Sequence, residues 1–386
     1  MKRKICFITG TRAEYGLLRQ LIIGASKDKS IYSQLIVTGT HLSKLHGLTY
    51  KEIEADGILI SQKINLRIKG DTAQDVLSAM SHALNGFSSA LSNLKPDLIV
   101  LLGDRYEIFA AASAATILNI PIAHIHGGET TEGAYDEAMR HSITKMSHIH
   151  FVAAAEYKRR VRQLGEDLKN IFLVGGLGVD AIHGLKLLSK TELEKELNFL
   201  FGKKNLLITV HPETLEKDKS SQDQVRELLS SLRKLKDTKF IFTLPNADTN
   251  NLQISKMIKK FQSEHPESAN IYTSLGQIKY LSALRFMDGV IGNSSSGLLE
   301  APSFKIGTIN LGGRQSGRLK ARSVIDVTFE RTKISKAINH LYSKTFQNNL
   351  SKVINPYGKP GASKKILKII KNFPLENIIK KQFHDL

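Results

Sequence analysis

Residues 288–304 read DGVIGNSSSGLLEAPSF. Gly289-Val290-Ile291 is a short apolar run of the kind a buried strand needs. Gly292 stops it, Asn293-Ser294-Ser295-Ser296-Gly297 makes a small-residue turn, and a helix-like segment, LLEAPSF, follows. A strand feeding such a turn and a helix start gathers backbone N–H groups and hydroxyls at the positive end of a helix dipole. A phosphate or diphosphate can sit there. Glu300, one turn in, is too close to welcome a bare phosphate but suits hydroxyls such as those of a ribose. The plain alternative is three serines capping an ordinary α/β turn.

The same strand–turn–helix pattern recurs on both sides of this stretch. Upstream in the second half, Asn205 to Val210 reads as a strand ending in His211-Pro212-Glu213-Thr214. Helix 221–236, a strand at 240–243 ending near Asn246, helix 252–263, a strand at 270–273 and helix 277–286 follow. Downstream lie the strand 307–311 and the loop 312–318, which carries Arg314. The first half opens with Lys4-Ile5-Cys6-Phe7-Ile8-Thr9, then GTRAEYG at 10–16 and a helix. That loop matches neither G-x-G-x-x-G nor the Walker spacing, which counts against NAD and ATP chemistry. Arg12 stands at the strand's tip, free to reach an anion, with a surface pair to Glu14 as its plain role.

A second strand at 35–37, a helix at 72–93 and the doubly apolar run Leu98–Leu102 follow, the last a central parallel strand. It ends at Asp104, either a chemical group or a helix cap, ahead of helix 108–118. The strand 120–126 places His124 and His126 on one face. Glu129 and a loop lead to helix 136–147, in which Asp136 and Arg140 are spaced to pair. Histidines two apart with these carboxylates could suggest a metal, but without HExxH or a cysteine set the reading is no metal. A strand at 150–152, helix 156–164 and a strand at 171–174 close this half. Two successive β/α alternations predict two Rossmann-like, doubly wound α/β domains facing a central cleft. Their expected spans are 1–175 and 176–360, with a C-terminal helix within 361–386 packing back on the first.

Length and composition agree. At 386 residues and 41% hydrophobic, the chain can bury two cores. Its one cysteine, Cys6, rules out a disulfide framework. No run approaches a membrane span or signal peptide, so a cytoplasmic protein with no membrane partner is expected. The net charge of +19 is lopsided: residues 1–150 hold 16 Lys+Arg against 14 Asp+Glu, and residues 151–386 hold 39 against 22. A basic second half suits an anionic ligand such as a nucleotide. Much of the excess lies in 331–386, where lysines at helical spacing read as a solvated face. With no tryptophan and no aromatics interleaved among the basic residues, a nucleic-acid platform is not expected. The first half's tips (Arg12, Asp104, His126, Glu129, Asp136) suit proton transfer. Those of the second (His211, Asn246, Ser294, Ser295, Glu300, Arg314) suit a diphosphate.

Five ordered motifs, GTRAEYG at 10–16, LGDRYEIF at 102–109, HIHGGE at 124–129 with YDEAMRHSITKMSH at 135–148, HPET at 211–214 and GNSSSGLLEAPS at 292–303, resemble the hydrolysing UDP-N-acetylglucosamine 2-epimerases, the NeuC family. The resemblance implies a GT-B-like fold, a homodimer or homotetramer and no cofactor. It also implies a reaction that opens sialic acid synthesis, in which UDP-N-acetylglucosamine and water give N-acetylmannosamine and UDP. The implied path is anti elimination to 2-acetamidoglucal, then hydration with C2 inverted. By the same resemblance Asp104 is the first acid/base candidate, and Asp136 and Glu129 are candidates for the C2 base or the water guide. Arg12, His211 and Arg314 would take up diphosphate charge, Ser294 and Ser295 would donate to phosphate, and Glu300 would hold the ribose. Several relatives carry glutamate where this chain has His126, so His126 or Glu129 fills that role. Rival readings are the same chemistry on a UDP- or GDP-linked 2,4-diacetamido-trideoxy sugar of legionaminic acid synthesis, a non-hydrolysing epimerase, a GT-B glycosyltransferase, and a basic nucleic-acid-binding protein.

Overall fold

The structure, a computed structural model, describes residues 2–44, 47–68, 70, 72–130, 135–211, 220–244 and 251–385. The chain divides into two compact units. One is built from Met1–Thr130, Ala134–Gly184 and Tyr357–Leu386, and Leu185–Pro356 forms the body of the other.

The first unit holds seven strands: β1 (Arg3–Thr9), β2 (Ile31–Val37), β3 (Gln62–Lys63), β4 (Leu98–Leu102), β5 (Ile122–Ile125), β6 (Ile149–Val152) and β7 (Ile171–Leu173). They form one sheet in the order β3-β2-β1-β4-β5-β6-β7, every neighbouring pair parallel. Alternation along the strands sorts side chains to two faces. Ile5, Phe7, Leu35, Leu98 and Val100 join one buried cluster with Leu18, Leu21 and Ile22 of helix α1 (Arg12–Lys27). Cys6, Ile8, Ile36, Ile99 and Leu101 join another. Phe87 and Leu91 of α3 (Ala73–Leu94), which follows α2 (Tyr50–Ala55), and Ile108 of α4 (Tyr106–Ile117) complete it. Each such aliphatic side chain taken fully out of water contributes about 1.5–3 kcal/mol, which is why this sheet is covered on both faces. Burial also pushes the Cys6 thiol far above its ordinary range, leaving an inert small hydrophobe.

The helix Ala362–Asn372 belongs to this unit: Ile366 and Ile370 are buried in the α1 cluster. Its first turn is fixed by the Asp180 carboxylate, which accepts from the N–H groups of Gly361, Ala362 and Ser363.

The second unit holds β8 (Lys204–Thr209), β9 (Thr238–Thr243), β10 (Ala269–Tyr272), β11 (Gly289–Gly292), β12 (Gly307–Leu311) and β13 (Val324–Val327). All pairs are parallel, in the order β10-β9-β8-β11-β12-β13. Both sheets are therefore doubly wound, as the strand spacing predicts. In each, the order reverses once, between β1 and β4 and between β8 and β11. Ligands of such sheets bind at those switch points, beyond the carboxyl ends of the strands. Beyond the elements expected from the sequence, the structure holds β13 and the helix Arg331–Leu341, whose Ile334, Ile338 and Leu341 lie in the core. Part of the lysine-bearing 331–386 segment is thus core rather than only a solvated face. Among the described residues no helix is long and apolar enough to cross a membrane.

Candidate active site

At the first unit's switch point, β1 runs into Gly10 and Thr11. The Thr11 side chain caps α1 by accepting from the Glu14 N–H (3.2 Å), and Glu14 accepts from the Gly10 N–H (2.7 Å). β4 runs into Gly103, whose φ of +80° turns the chain and presents Asp104. The Asp104 carboxylate is paired with Arg140 of α5 (Asp136–Met146), so it is not a helix cap. Arg140, almost fully buried, also lies 3.7 Å from Glu129, and Glu129 lies 3.3 Å from His126 Nδ1. Asp136 opens α5. Burial, and then the like charge of Asp104, push its carboxyl up to about 6, against the opposing pull of Arg105 and Arg140. The i, i+4 pair expected between Asp136 and Arg140 gives way because Arg140 reaches Asp104 and Glu129, two carboxylates on neighbouring tips. Asp136, raised toward neutrality next to the charge of Asp104, can take a different acid/base role from the carboxylate that Arg140 holds.

The two histidines part company. His124 is locked in the core, its ring between the Gly103 carbonyl (2.8 Å) and the Thr144 hydroxyl (3.1 Å), and burial lowers it to about 3. His126 falls one residue past β5 with φ +68°, outside the strand's alternation, and turns to Glu129. Its Nε2 is buried without a hydrogen-bond partner among the described residues. No group of three or more His, Cys, Asp or Glu among the described residues is arranged to hold a metal ion. Arg12 lies in the first turn of α1, half exposed, and pairs with Glu52 of α2 at 3.1 Å; the expected surface partner Glu14 is engaged at the cap and toward Arg105. Two cavities of the first unit lie away from these tips, one lined by His148, Glu166, Lys381 and His384, the other by Phe172, Val174, Lys365 and Phe373.

At the second unit's switch point a fully buried asparagine organises the tips. Asn293 accepts from the His211 N–H (2.7 Å), donates to the His211 carbonyl (2.9 Å), and through its own carbonyl accepts from Gln315 (2.8 Å). One residue after β11 thus pins the tip of β8 and the centre of the loop that carries Arg314. Gly292 has φ +141°, and a Cβ there would lie 1.9 Å from the Thr209 carbonyl, so only glycine lets the strands meet this way. Burial, and then Arg314, lower His211 to about 4; it is a neutral ring at pH 7 that can donate a hydrogen bond to an anion. Ser294 and Ser295 occupy the turn, and Glu300 accepts from the Ser296 hydroxyl, itself a partner of Tyr280 (2.7 Å). The helix expected from 298 onward is cut short: it spans only Ser296–Leu299, and Ala301–Phe304 tightens to a 3₁₀ turn around Pro302. So short a helix carries little dipole, and the hydroxyls, backbone N–H groups, His211 and Arg314 are what can meet a phosphate. Asn246 and the Pro212-Glu213-Thr214 part of HPET lie outside the described residues.

Arg140, Arg105, Asn293 and Gln315 were not singled out as site residues by sequence. The available signal was position: each lies within a few residues of a strand end or begins from a motif already quoted.

Fold and sites define a two-unit parallel α/β protein with a cluster of carboxylates and guanidinium groups at one switch point and a hydroxyl-rich turn beside His211 at the other. Residues 25–371 match the family model described as UDP-N-acetylglucosamine 2-epimerase, and the chain belongs to that family. It is 43% identical, over the full length of both chains, to the GDP/UDP-N,N'-diacetylbacillosamine 2-epimerase (hydrolyzing) of Campylobacter jejuni. To the polysialic acid biosynthesis protein P7 of Escherichia coli it is 41% identical, covering 100% of this chain and 98% of the relative. The S. aureus MnaA-UDP co-structure shares the fold with a TM-score of 0.79 at 18% identity, 100% of each chain covered.

Proposed function

We propose that the protein is a hydrolysing 2-epimerase that converts UDP-N-acetylglucosamine and water into N-acetylmannosamine and UDP. The observation that carries the reading is the pair Asp104 and Asp136 around Arg140 and Arg105, with Asp136 moved toward neutrality. The C2 proton of a 2-acetamido sugar is weakly acidic, and removing it needs a positioned base whose own titration lies near the working pH. Asp136 is that base. It takes the proton from C2, the C–H electrons form the C1–C2 double bond, and the C1–O bond breaks with its electrons going to UDP. A proton is then delivered to C2 on the opposite face and water oxygen bonds to C1, its released proton returning to a carboxylate. Asp104, held by Arg140, is the second acid/base group, and Glu129 with His126 guides the water.

In the second unit, Arg314 neutralises the departing diphosphate, the neutral His211 ring, Ser294 and Ser295 donate to it, and Glu300 holds the ribose. Such groups act most where charge builds on the leaving oxygen. Arg12, tied to Glu52, supplies positive charge only by leaving that surface pair. Asn246 remains assigned to the nucleotide. Released product is N-acetylmannosamine, no cofactor takes part, and the working form is a homodimer or homotetramer in the cytoplasm.

A second reading is favoured by the Campylobacter relative, whose name gives a diacetylated sugar on GDP or UDP. The E. coli relative, nearly as similar, has a name that fits the sialic acid reading. The test is a side-by-side turnover assay of UDP-N-acetylglucosamine and the UDP- and GDP-linked 2,4-diacetamido-trideoxy sugars, following nucleotide release and the free sugar by chromatography. Higher kcat/KM on a diacetamido sugar would replace the first reading by the second; release of nucleotide from none of them would sink both.

A further inference from the structure

Beside the Asp104–Asp136 pair lie two buried carboxyls that the reaction as written does not use. Glu107, two residues into α4, is fully buried, and Glu14 of α1 nearly so. Both reach the same nitrogen: Arg105 Nε lies 2.6 Å from Glu107 Oε1 and 3.8 Å from Glu14 Oε1. The Arg105 guanidinium also lies over the Tyr106 ring, 5.6 Å from its centre. Glu14 is fixed in turn by the Gly10 and Thr11 N–H groups, at 2.7 and 3.2 Å. The packing leaves no slack, since a Cβ at Gly10 would lie 2.4 Å from Glu107 Oε1. Glu107 Oε2 has no hydrogen-bond partner among the described residues.

Stability alone does not explain this arrangement. Taking two carboxylates out of water around one guanidinium is costly, and an apolar replacement of such a cluster is often neutral or better. Part of the cost is relieved by a proton: burial, and then the Glu107 charge, push Glu14 up to about 8. At neutral pH Glu14 is thus largely protonated, which lightens the buried negative charge around the guanidinium. What the cluster specifies is where that guanidinium stands.

We propose that Glu107 and Glu14 are positioning residues, a two-carboxylate clamp that holds Arg105 at the β4 tip so that its positive charge bears on Asp136. The inference rests on the acid/base reading of Asp136. Among the described residues, the charged and titratable groups that act on Asp136 are Asp104, Arg105, Arg140 and Glu107, with Tyr135 beside it in the chain. Glu107 therefore acts on Asp136 in two opposed ways. Its own charge makes Asp136 harder to ionise, and its grip on Arg105 makes Asp136 easier to ionise. A clamp means that the second effect exceeds the first.

The opposed signs give a test that needs no turnover, so its failure is separable from failure of the epimerase reading. The Asp136 carboxyl is titrated by ¹³C NMR in the full-length protein, with Asp136→Asn to assign the signal. Glu107→Gln should raise the midpoint by about 0.5 pH or more, and the same change in an Arg105→Gln background should lower it. Glu107→Asp keeps the charge but withdraws the carboxylate from Nε, and it too should raise the midpoint. It serves as well if thermal melting finds Glu107→Gln unfolded. A midpoint that falls on Glu107→Gln in the otherwise native chain, or one that stays put on Glu107→Asp, overturns the clamp: Glu107 would then be a through-space charge or a packing residue.

Discussion

Replacing Asp136 by asparagine should make the first unit more stable in alkaline solution while stopping the reaction. Burial, and then repulsion from Asp104, raise this carboxyl from an ordinary 3.8 to about 6. At about 1.4 kcal/mol for each factor of ten, holding it ionised in the fold costs at most about 3 kcal/mol relative to the unfolded chain, and less because water screens this half-buried group. A carboxyl raised in this way favours folding fully below about 4, and that contribution is lost as pH rises through about 6. Asparagine resembles the protonated form, so the variant should match the parent near pH 4 and exceed it at pH 8. A unit of this size melts about 2–4 °C higher per kcal/mol, so the gain at pH 8 is about 6–12 °C at most. It is an upper figure because the amide NH₂ needs acceptors that a protonated carboxyl does not. Scanning calorimetry at pH 4.5 and pH 8 checks it. An equal loss of stability at both pH values would refute the picture of Asp136 as a buried carboxyl facing a like charge.

Other consequences concern both switch points. Asp104→Asn should cut turnover roughly 100-fold or more while UDP affinity, measured by calorimetry, is largely kept; near-normal turnover would reduce Asp104 to an ion-pair partner of Arg140. Arg314→Ala should weaken UDP binding about tenfold or more and leave His211 easier to protonate, which ¹H NMR of the ring reads directly. Asn293→Ala strands the buried His211 N–H and carbonyl, a loss of about 2–4 kcal/mol in the second unit, and should also loosen UDP. Unchanged melting in that variant would mean that Asn293 does not pin the β8 tip.

Much of this was legible in the sequence because buried parallel strands leave a strong local signature. The runs at 4–9, 98–102, 205–210 and 289–291 all became central strands, and the residues after them stand at the switch points. What local reading could not give was partner choice. Arg140 is spaced for Asp136 along its helix, yet tertiary packing brings Asp104 and Glu129 to it. Asn293 reads as one more small polar turn residue, and only the meeting of β8 and β11 makes it a brace. The helix after Ser296 is shorter than its sequence suggests because the local turn tightens around Pro302, and β13 has a weak local signature because VIDV sits among basic residues without a long apolar run. His126 was placed by strand alternation, and the strand ends one residue earlier.

The most direct measurement is isotopic. The protein is incubated with UDP-N-acetylglucosamine in D₂O and the free sugar is examined by NMR and mass spectrometry. Expected is N-acetylmannosamine carrying one solvent deuterium at C2, released together with UDP. Epimerised sugar with its original hydrogen still on C2 would contradict a base that removes that proton and a second delivery from the opposite face.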